Sequence, residues 1–189
     1  MNVLKKYKIE TDYKLEQFFL IDKDIAKELA KYANITKDEV VLDLGAGTGA
    51  ITEELAKKAK KVIAVEKDGQ YYYLLLDRFK RYNNVEVLID DVLSMDFPKF
   101  DKIVCNLPYN VYEPFFRILS KLNVKLMIMI CSYGFAKIVL AKPGEKEYSK
   151  FTEFVQSMFD IKKLKDIPKE SFYPQPRVTS SIIELTPKY

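Results

Sequence analysis

Apolar residues along this chain fall into short continuous runs that alternate with stretches of helical period. Ile25, Leu29 and Tyr32 recur with helical spacing, and the polar NITKDE ends that pattern before the apolar VVLDL. The alternation then repeats. Ile51 to Ala59 reads as helix, KVIAVE as strand, Gln70 to Arg81 as helix, VEVLI and KIVCN as strands, Pro114 to Leu122 as helix and KLMIMI as strand. Strands that are apolar throughout are buried on both faces, so the pattern predicts a parallel sheet with helices on both sides. Pro114 suits the first turn of its helix, where no backbone donor is missed.

The last third differs. AKPGEKEY reads as a loop and Phe151 to Phe159 as a helix; IKKLKDI and VTSSIIEL read as strands flanking PKESFYPQPR. Two strands joined without a helix predict an antiparallel pair at the end of the sheet. The expectation is an α/β, Rossmann-like fold with a mostly parallel seven-stranded sheet and an antiparallel final strand. It forms one domain over residues 1–189, including an N-terminal arm to about residue 21.

Composition narrows the chemistry. A hydrophobic fraction of 48% in 189 residues is enough for one packed core. There is no histidine, which excludes a Ser-His-Asp triad, a histidine base and a histidine metal ligand. Cys105 and Cys131 lie within apolar runs and read as buried thiols in a reducing compartment. The longest apolar run, LMIMIC, is too short to span a bilayer, so a soluble cytoplasmic protein without membrane contact is expected. The net charge of +4 permits nucleic-acid contact without demonstrating it.

Candidate chemistry sits at strand ends. VVLDLGAGTGAITEEL places Gly45, Ala46, Gly47 and Gly49 between a buried strand and a helix, where the chain turns sharply and a ligand can approach backbone. The spacing G-x-G-x-G is neither a dinucleotide fingerprint nor a phosphate loop, and favours a nucleotide cofactor without a pyrophosphate. Glu66 ends the next strand at the distance where an acid reaches ribose hydroxyls, with Lys67 beside it. Asp91, followed by Val92, ends the third and offers an acceptor to an adenine amine. Any one of these acids is more simply a solvated strand end; the three successive strand ends together carry the signal. Their order resembles S-adenosylmethionine-dependent class I methyltransferases.

The fourth such end reads Asn106-Leu107-Pro108-Tyr109 and resembles the Asn/Asp-x-Pro-Tyr/Phe motif of methyltransferases that act on the exocyclic amines of bases. That amine is a poor nucleophile because its lone pair is delocalised into the ring. The Asn106 side-chain oxygen and the Leu107 carbonyl would accept its two N–H groups, Pro108 would stiffen the bend and Tyr109 would stack on the base. No strong base is required, so the absence of histidine is no obstacle.

QFFLIDKDIAKEL, NLPYNV, AKPGEKEY and SFYPQPRVTSSIIELTP together resemble the small-subunit ribosomal RNA adenine N6,N6-dimethyltransferases over nearly the whole chain. The resemblance implies methyl transfer from S-adenosylmethionine, with S-adenosylhomocysteine as product and no metal, to N6 of adenine in RNA. Small-subunit ribosomal RNA or a pre-ribosomal particle is the expected partner, and a monomer the expected state. It also implies that Gln17 and Leu20 border the cofactor and that Phe172 forms the wall opposite Tyr109.

Three departures stand out. Phe18 replaces a usual Asn or His, and Cys131, Ser132, Tyr133 and Gly134 replace a usual polar segment. The sequence ends at Tyr189 where the family carries a small helical domain, which makes this a short form. Basic residues are expected to touch phosphates: Lys5, Lys6, Lys8 and Lys14 with Tyr7 and Tyr13 interleaved, and Lys162, Lys163, Lys165 and Arg177. Two rival readings are an RNA-binding or ribosome-assembly factor that keeps the cofactor pocket with little catalysis, and an adenine methyltransferase acting on another nucleic acid.

Overall fold

A computed structural model describes residues 17–188. The expected basic arm of Lys5, Lys6, Lys8, Lys14, Tyr7 and Tyr13 lies outside the described residues.

The seven apolar runs form one sheet of β2 (Val40–Leu44), β3 (Lys61–Glu66), β4 (Val85–Ile89), β5 (Lys102–Asn106), β6 (Leu126–Ser132), β7 (Phe159–Ile167) and β9 (Ser180–Pro187). Their spatial order is β4-β3-β2-β5-β6-β9-β7. The first five are parallel, and β9 is inserted antiparallel between β6 and β7. From β2 the chain winds outward to β3 and β4 and then returns to place β5 on the other side of β2. This reversal opens a crevice at the carboxyl ends of β2 and β5.

Side-chain alternation along the strands builds two core layers. Leu42, Leu44, Ile103, Cys105, Met127 and Met129 face α4 (Tyr112–Leu119), α5 (Tyr133–Leu140) and α6 (Lys150–Met158). Val41, Val62, Val104, Ile128 and Ile130 face α1 (Lys23–Tyr32) and α2 (Ala50–Ala56). Ala64 is covered on that same face by α3 (Gly69–Phe79). Both cysteines are buried free thiols, as their apolar surroundings in the sequence imply.

Two elements lie outside the sequence pattern. Helix α5 follows β6 directly; Ser132 caps it by accepting the Phe135 N–H through Oγ. The small ribbon of β1 (Phe19–Leu20) with β8 (Phe172–Tyr173) is only two residues long on each side, too short to show a period. It ties the start of the described chain to the loop after β7 and so fixes Gln17 and Phe18 over the crevice. Among the described residues no helix is long and apolar enough to cross a membrane.

Candidate active site

A cavity of about 440 Å³ occupies the crevice. Its floor is set by a close approach of two strand ends. Gly45 follows β2 at φ 74°, and a Cβ there would stand 2.9 Å from the Asn106 carbonyl at the end of β5. Only glycine permits both that conformation and that contact. The N–H groups of Gly45 and Ala46 bond the Val65 carbonyl at 3.0 and 3.1 Å, which docks the loop on β3.

Glu66 holds the loop from its other side. One carboxylate oxygen accepts the Gly47 N–H at 2.8 Å, and the other accepts Lys67 N–H at 2.9 Å and Asp68 N–H at 3.0 Å. Burial raises the pKa of Glu66 above the ordinary carboxylate range, against the opposing pull of those three donors. Asp91 is the more solvated acid. Lys67 pairs with it at 2.7 Å and, with the Leu93 N–H, lowers its pKa. Lys67 and Asp91 thus face the cavity as a pair, with Asp90 and Val92 beside them.

Asn106, Leu107, Pro108 and Tyr109 form the opposite wall. Asn106 Nδ2 donates to the Phe18 carbonyl at 3.0 Å. A carbonyl only accepts, so the amide orientation is fixed and Oδ1 is the atom left for another donor. Pro108 is extended at φ −57° and starts a short 3-10 turn, Tyr109–Val111, that presents the Tyr109 ring. The Tyr109 hydroxyl lies 3.4 Å from Ser180 Oγ, at the start of β9.

The structure brings Gln17, Gly45, Gly47, Glu66, Lys67, Asp91, Val92, Asn106, Leu107, Pro108, Tyr109 and Phe172 to one cavity. It does not bring Leu20 or Ala46 there. Leu20 alternates with Phe19 on β1, so its side chain points into the core while Phe19 faces the cavity and packs on Tyr71 at 4.6 Å. Ala46 packs under α3. Gly49 also serves packing: a Cβ there would stand 2.6 Å from the Phe79 ring.

The cavity has a further aromatic ring beside Tyr109 and Phe172. Phe172 borders the cavity but is only 2% exposed, packed in the same core cluster as Leu20, so its ring is committed to the fold. The partly exposed ring facing Tyr109 is Phe18, at 5.9 Å between centroids and tilted by 44°. Each lysine of the basic patch in the last third has a carboxylate partner. Lys162 pairs with Glu184 at 3.4 Å, Lys163 with Asp166 at 3.0 Å and Lys165 with Glu28 at 2.8 Å, while Arg177 is exposed. Cys131, Ser132, Tyr133 and Gly134 do not line the cavity.

Asp43 is the polar group that the sequence reading passed over, although an acid inside VVLDL was a visible signal. It is fully buried; Oδ2 accepts from the Thr52 hydroxyl at 2.5 Å, and Oδ1 has no partner among the described residues. Burial pushes its pKa up to about 7. The folded protein therefore holds this proton up to about pH 7 while the unfolded chain releases it near 3.8. The group's contribution to stability is complete at acid pH and is lost as pH rises through that window, with an upper bound of about 4 kcal/mol. Asp43→Asn keeps the acceptor for Thr52 and loses the charge. It is expected to raise Tm relative to the parent at pH 8 and to give a smaller gain at pH 5. Equal differences at the two pH values would contradict the assignment.

The comparisons with known proteins agree with this geometry. A family profile described as ribosomal RNA adenine dimethylase matches residues 8–189. The chain is 39% identical over 188 residues to a probable ribosomal RNA small subunit methyltransferase A of Methanosphaera stadtmanae, covering 98% of this chain and 69% of that one. It is 37% identical over 186 residues to the ribosomal RNA small subunit methyltransferase A of Thermotoga maritima, covering 98% and 67%. The crystal structure of a dimethyladenosine transferase from Plasmodium falciparum superposes with a TM-score of 0.85 at 32% identity, over 90% of this chain and 63% of that one. The chain thus spans less than two thirds of that solved relative. With a glycine loop, two acids and an Asn-Leu-Pro-Tyr turn converging on one crevice, and with a match that runs through all four, the chain belongs to the ribosomal RNA adenine dimethylase family.

Proposed function

We propose that this protein transfers methyl groups from S-adenosylmethionine to the N6 amine of adenine in RNA, with small-subunit ribosomal RNA as the substrate. Residues 1–189 act as one methyltransferase domain in the cytoplasm. The observation that carries the reading is the Asn106 amide. Its Nδ2 is turned toward the Phe18 carbonyl, which leaves the Oδ1 acceptor at the mouth of a cofactor-sized cavity.

The residues fit the cofactor. The cavity volume suits a nucleoside-sized ligand, and Gly45, Gly47, Glu66 and Asp91 line it together. Glu66 and Asp91 would hold the ribose and adenine ends, and the Gly45–Gly47 backbone the methionine end. When bound, the cofactor supplies an electrophilic methyl group.

The chain's own groups do the rest. Asn106 Oδ1 and the Leu107 carbonyl accept the two N–H groups of the target amine and turn its lone pair out of conjugation. Tyr109 holds the base by stacking. As the new N–C bond forms the amine becomes acidic and its proton leaves to water, so no histidine is needed. Every group invoked comes from one chain, so a monomer suffices.

For the second aromatic wall, Phe18 takes the place expected of Phe172. A base held between two rings needs about 7 Å, two contacts of about 3.5 Å, so the Phe18 and Tyr109 rings must separate as it enters. Phe18→Ala is expected to weaken RNA use roughly tenfold, since stacking is worth about 1 to 3 kcal/mol per base, with Tm and cofactor affinity nearly unchanged. Phe172→Ala is expected to cost about 3 to 5 kcal/mol of stability. Normal RNA use by Phe18→Ala would return that wall to Phe172.

The function itself is tested with methyl-labelled cofactor and separate pools of small-subunit particles, naked RNA and DNA. Label in the particles or their RNA supports the proposal. Label in DNA alone moves the substrate to another nucleic acid. Bound cofactor without transfer to any pool identifies an assembly factor.

A further inference from the structure

A second groove, of about 520 Å³, lies beside the cavity and is lined by α5, the loop that follows it and β7. Its centre is Tyr133, one of the residues that replace the family's usual polar segment. Tyr133 is 37% exposed, and two ammonium groups from different elements lie over its ring: Lys137 Nζ of α5 at 5.1 Å from the centroid and Lys163 Nζ of β7 at 5.2 Å. An aromatic face holds cations through its quadrupole without neutralising them. The two charges are thus gathered and still available to an anion. Lys163 also pairs with Asp166, but that pair is exposed and competes weakly.

Lys146 lines the groove as well, together with Glu145 and Glu147. Glu145 already accepts the Lys142 N–H at 2.9 Å within its own loop. The backbone at the groove is tied to the wall of the site. Ser132, beside Tyr133, pairs in register with Ser180 of the cavity wall, and the Tyr133 N–H donates to the Thr179 carbonyl at 2.9 Å. Exposed Arg177 stands two residues before Thr179.

We propose that this groove binds the RNA backbone next to the target adenosine, with Lys137 and Lys163 receiving phosphates and Tyr133 holding the two lysines in place. The inference rests on RNA being the substrate. An RNA strand fits better than an acidic protein segment, because the cations cluster around one aromatic ring and adjoin a cavity built for a base.

The test is a salt titration of binding to a fluorescently labelled, adenosine-containing single-stranded RNA, read by anisotropy. Each phosphate contact on a single strand contributes about 0.7 to the slope of log K against log salt. Lys137→Gln and Lys163→Gln are each expected to lower the slope by about that amount, and the double variant by about 1.4. Tyr133→Leu is expected to lower it partly, Lys137→Arg to restore it, and Lys57→Gln, remote on the surface, to leave it unchanged. Cofactor affinity and Tm should not move in any of them.

Unchanged slopes in both lysine variants, with the parent still binding RNA and transferring methyl groups, would overturn the groove and leave the proposed function standing. Lowered slopes in a parent that transfers no methyl group to RNA would uphold the groove and remove that function. A parent with no salt-dependent RNA binding would overturn the inference.

Discussion

Asn106→Ala is expected to slow methyl transfer by about 10²-fold or more while cofactor and RNA still bind. A hydrogen bond that stabilises charge developing in the transition state typically has an effect of that size. The loss should fall on kcat more than on KM, because the amine needs its acceptor most as the nitrogen rehybridises. The Asn106 Nδ2 bond to Phe18 adds a second consequence, a stability loss of about 0.5 to 1.5 kcal/mol from releasing the segment over the crevice. Asn106→Asp separates the two roles. It keeps an acceptor toward the substrate but sets a carboxylate oxygen against the Phe18 carbonyl. It should therefore destabilise the segment and yet transfer at least tenfold faster than the alanine variant in a single turnover. If Asp is as slow as Ala, the acceptor is not what matters. If Ala is slowed less than about threefold, Asn106 is a turn residue only.

Glu66→Gln is expected to be almost as damaging as Glu66→Ala, although it is nearly isosteric. Both carboxylate oxygens accept backbone N–H groups, so an amide placed either way sets a donor against a donor. With the site this buried, the expected loss without cofactor is about 1 to 3 kcal/mol, several degrees in Tm. Losing charge-assisted bonds to the cofactor and the ordered loop together should weaken binding at least tenfold by calorimetry. A Tm unchanged in the cofactor-free Glu66→Gln protein would show that Glu66 does not hold the loop. Unchanged cofactor affinity in both variants would remove it from the site.

The parallel half of the sheet was legible because buried strands are apolar runs and the helices between them keep a clear period. The antiparallel pair β7 and β9 was legible from the missing helix between IKKLKDI and VTSSIIEL. Helix boundaries shifted by one to three residues, as at Gly69–Phe79 against the expected Gln70 to Arg81, because capping by Asp68 and the turn at Lys80 lie outside the hydrophobic pattern.

Strand ends that carry polar residues announced most of the site. What stayed hidden depends on direction and distance. Leu20 and Phe19 are adjacent, yet the β alternation sends one into the core and the other to the cavity. Phe18 was visible as an unusual residue, but its place against Tyr109 depends on the β1–β8 ribbon, which pairs residues over 150 positions apart. The lysines of the last third read as free charge in the sequence, and the fold supplies carboxylate partners for three of them.

The most direct test of the central claim is the identity of the modified nucleoside. Small-subunit RNA lacking the modification is incubated with the protein and S-adenosylmethionine, digested to nucleosides and resolved by mass spectrometry beside the Asn106→Ala variant. The account predicts N6-methylated adenosine with the parent and its near loss in the variant. Methylation at another atom of adenine, at another base, or to the same extent in the variant would contradict it.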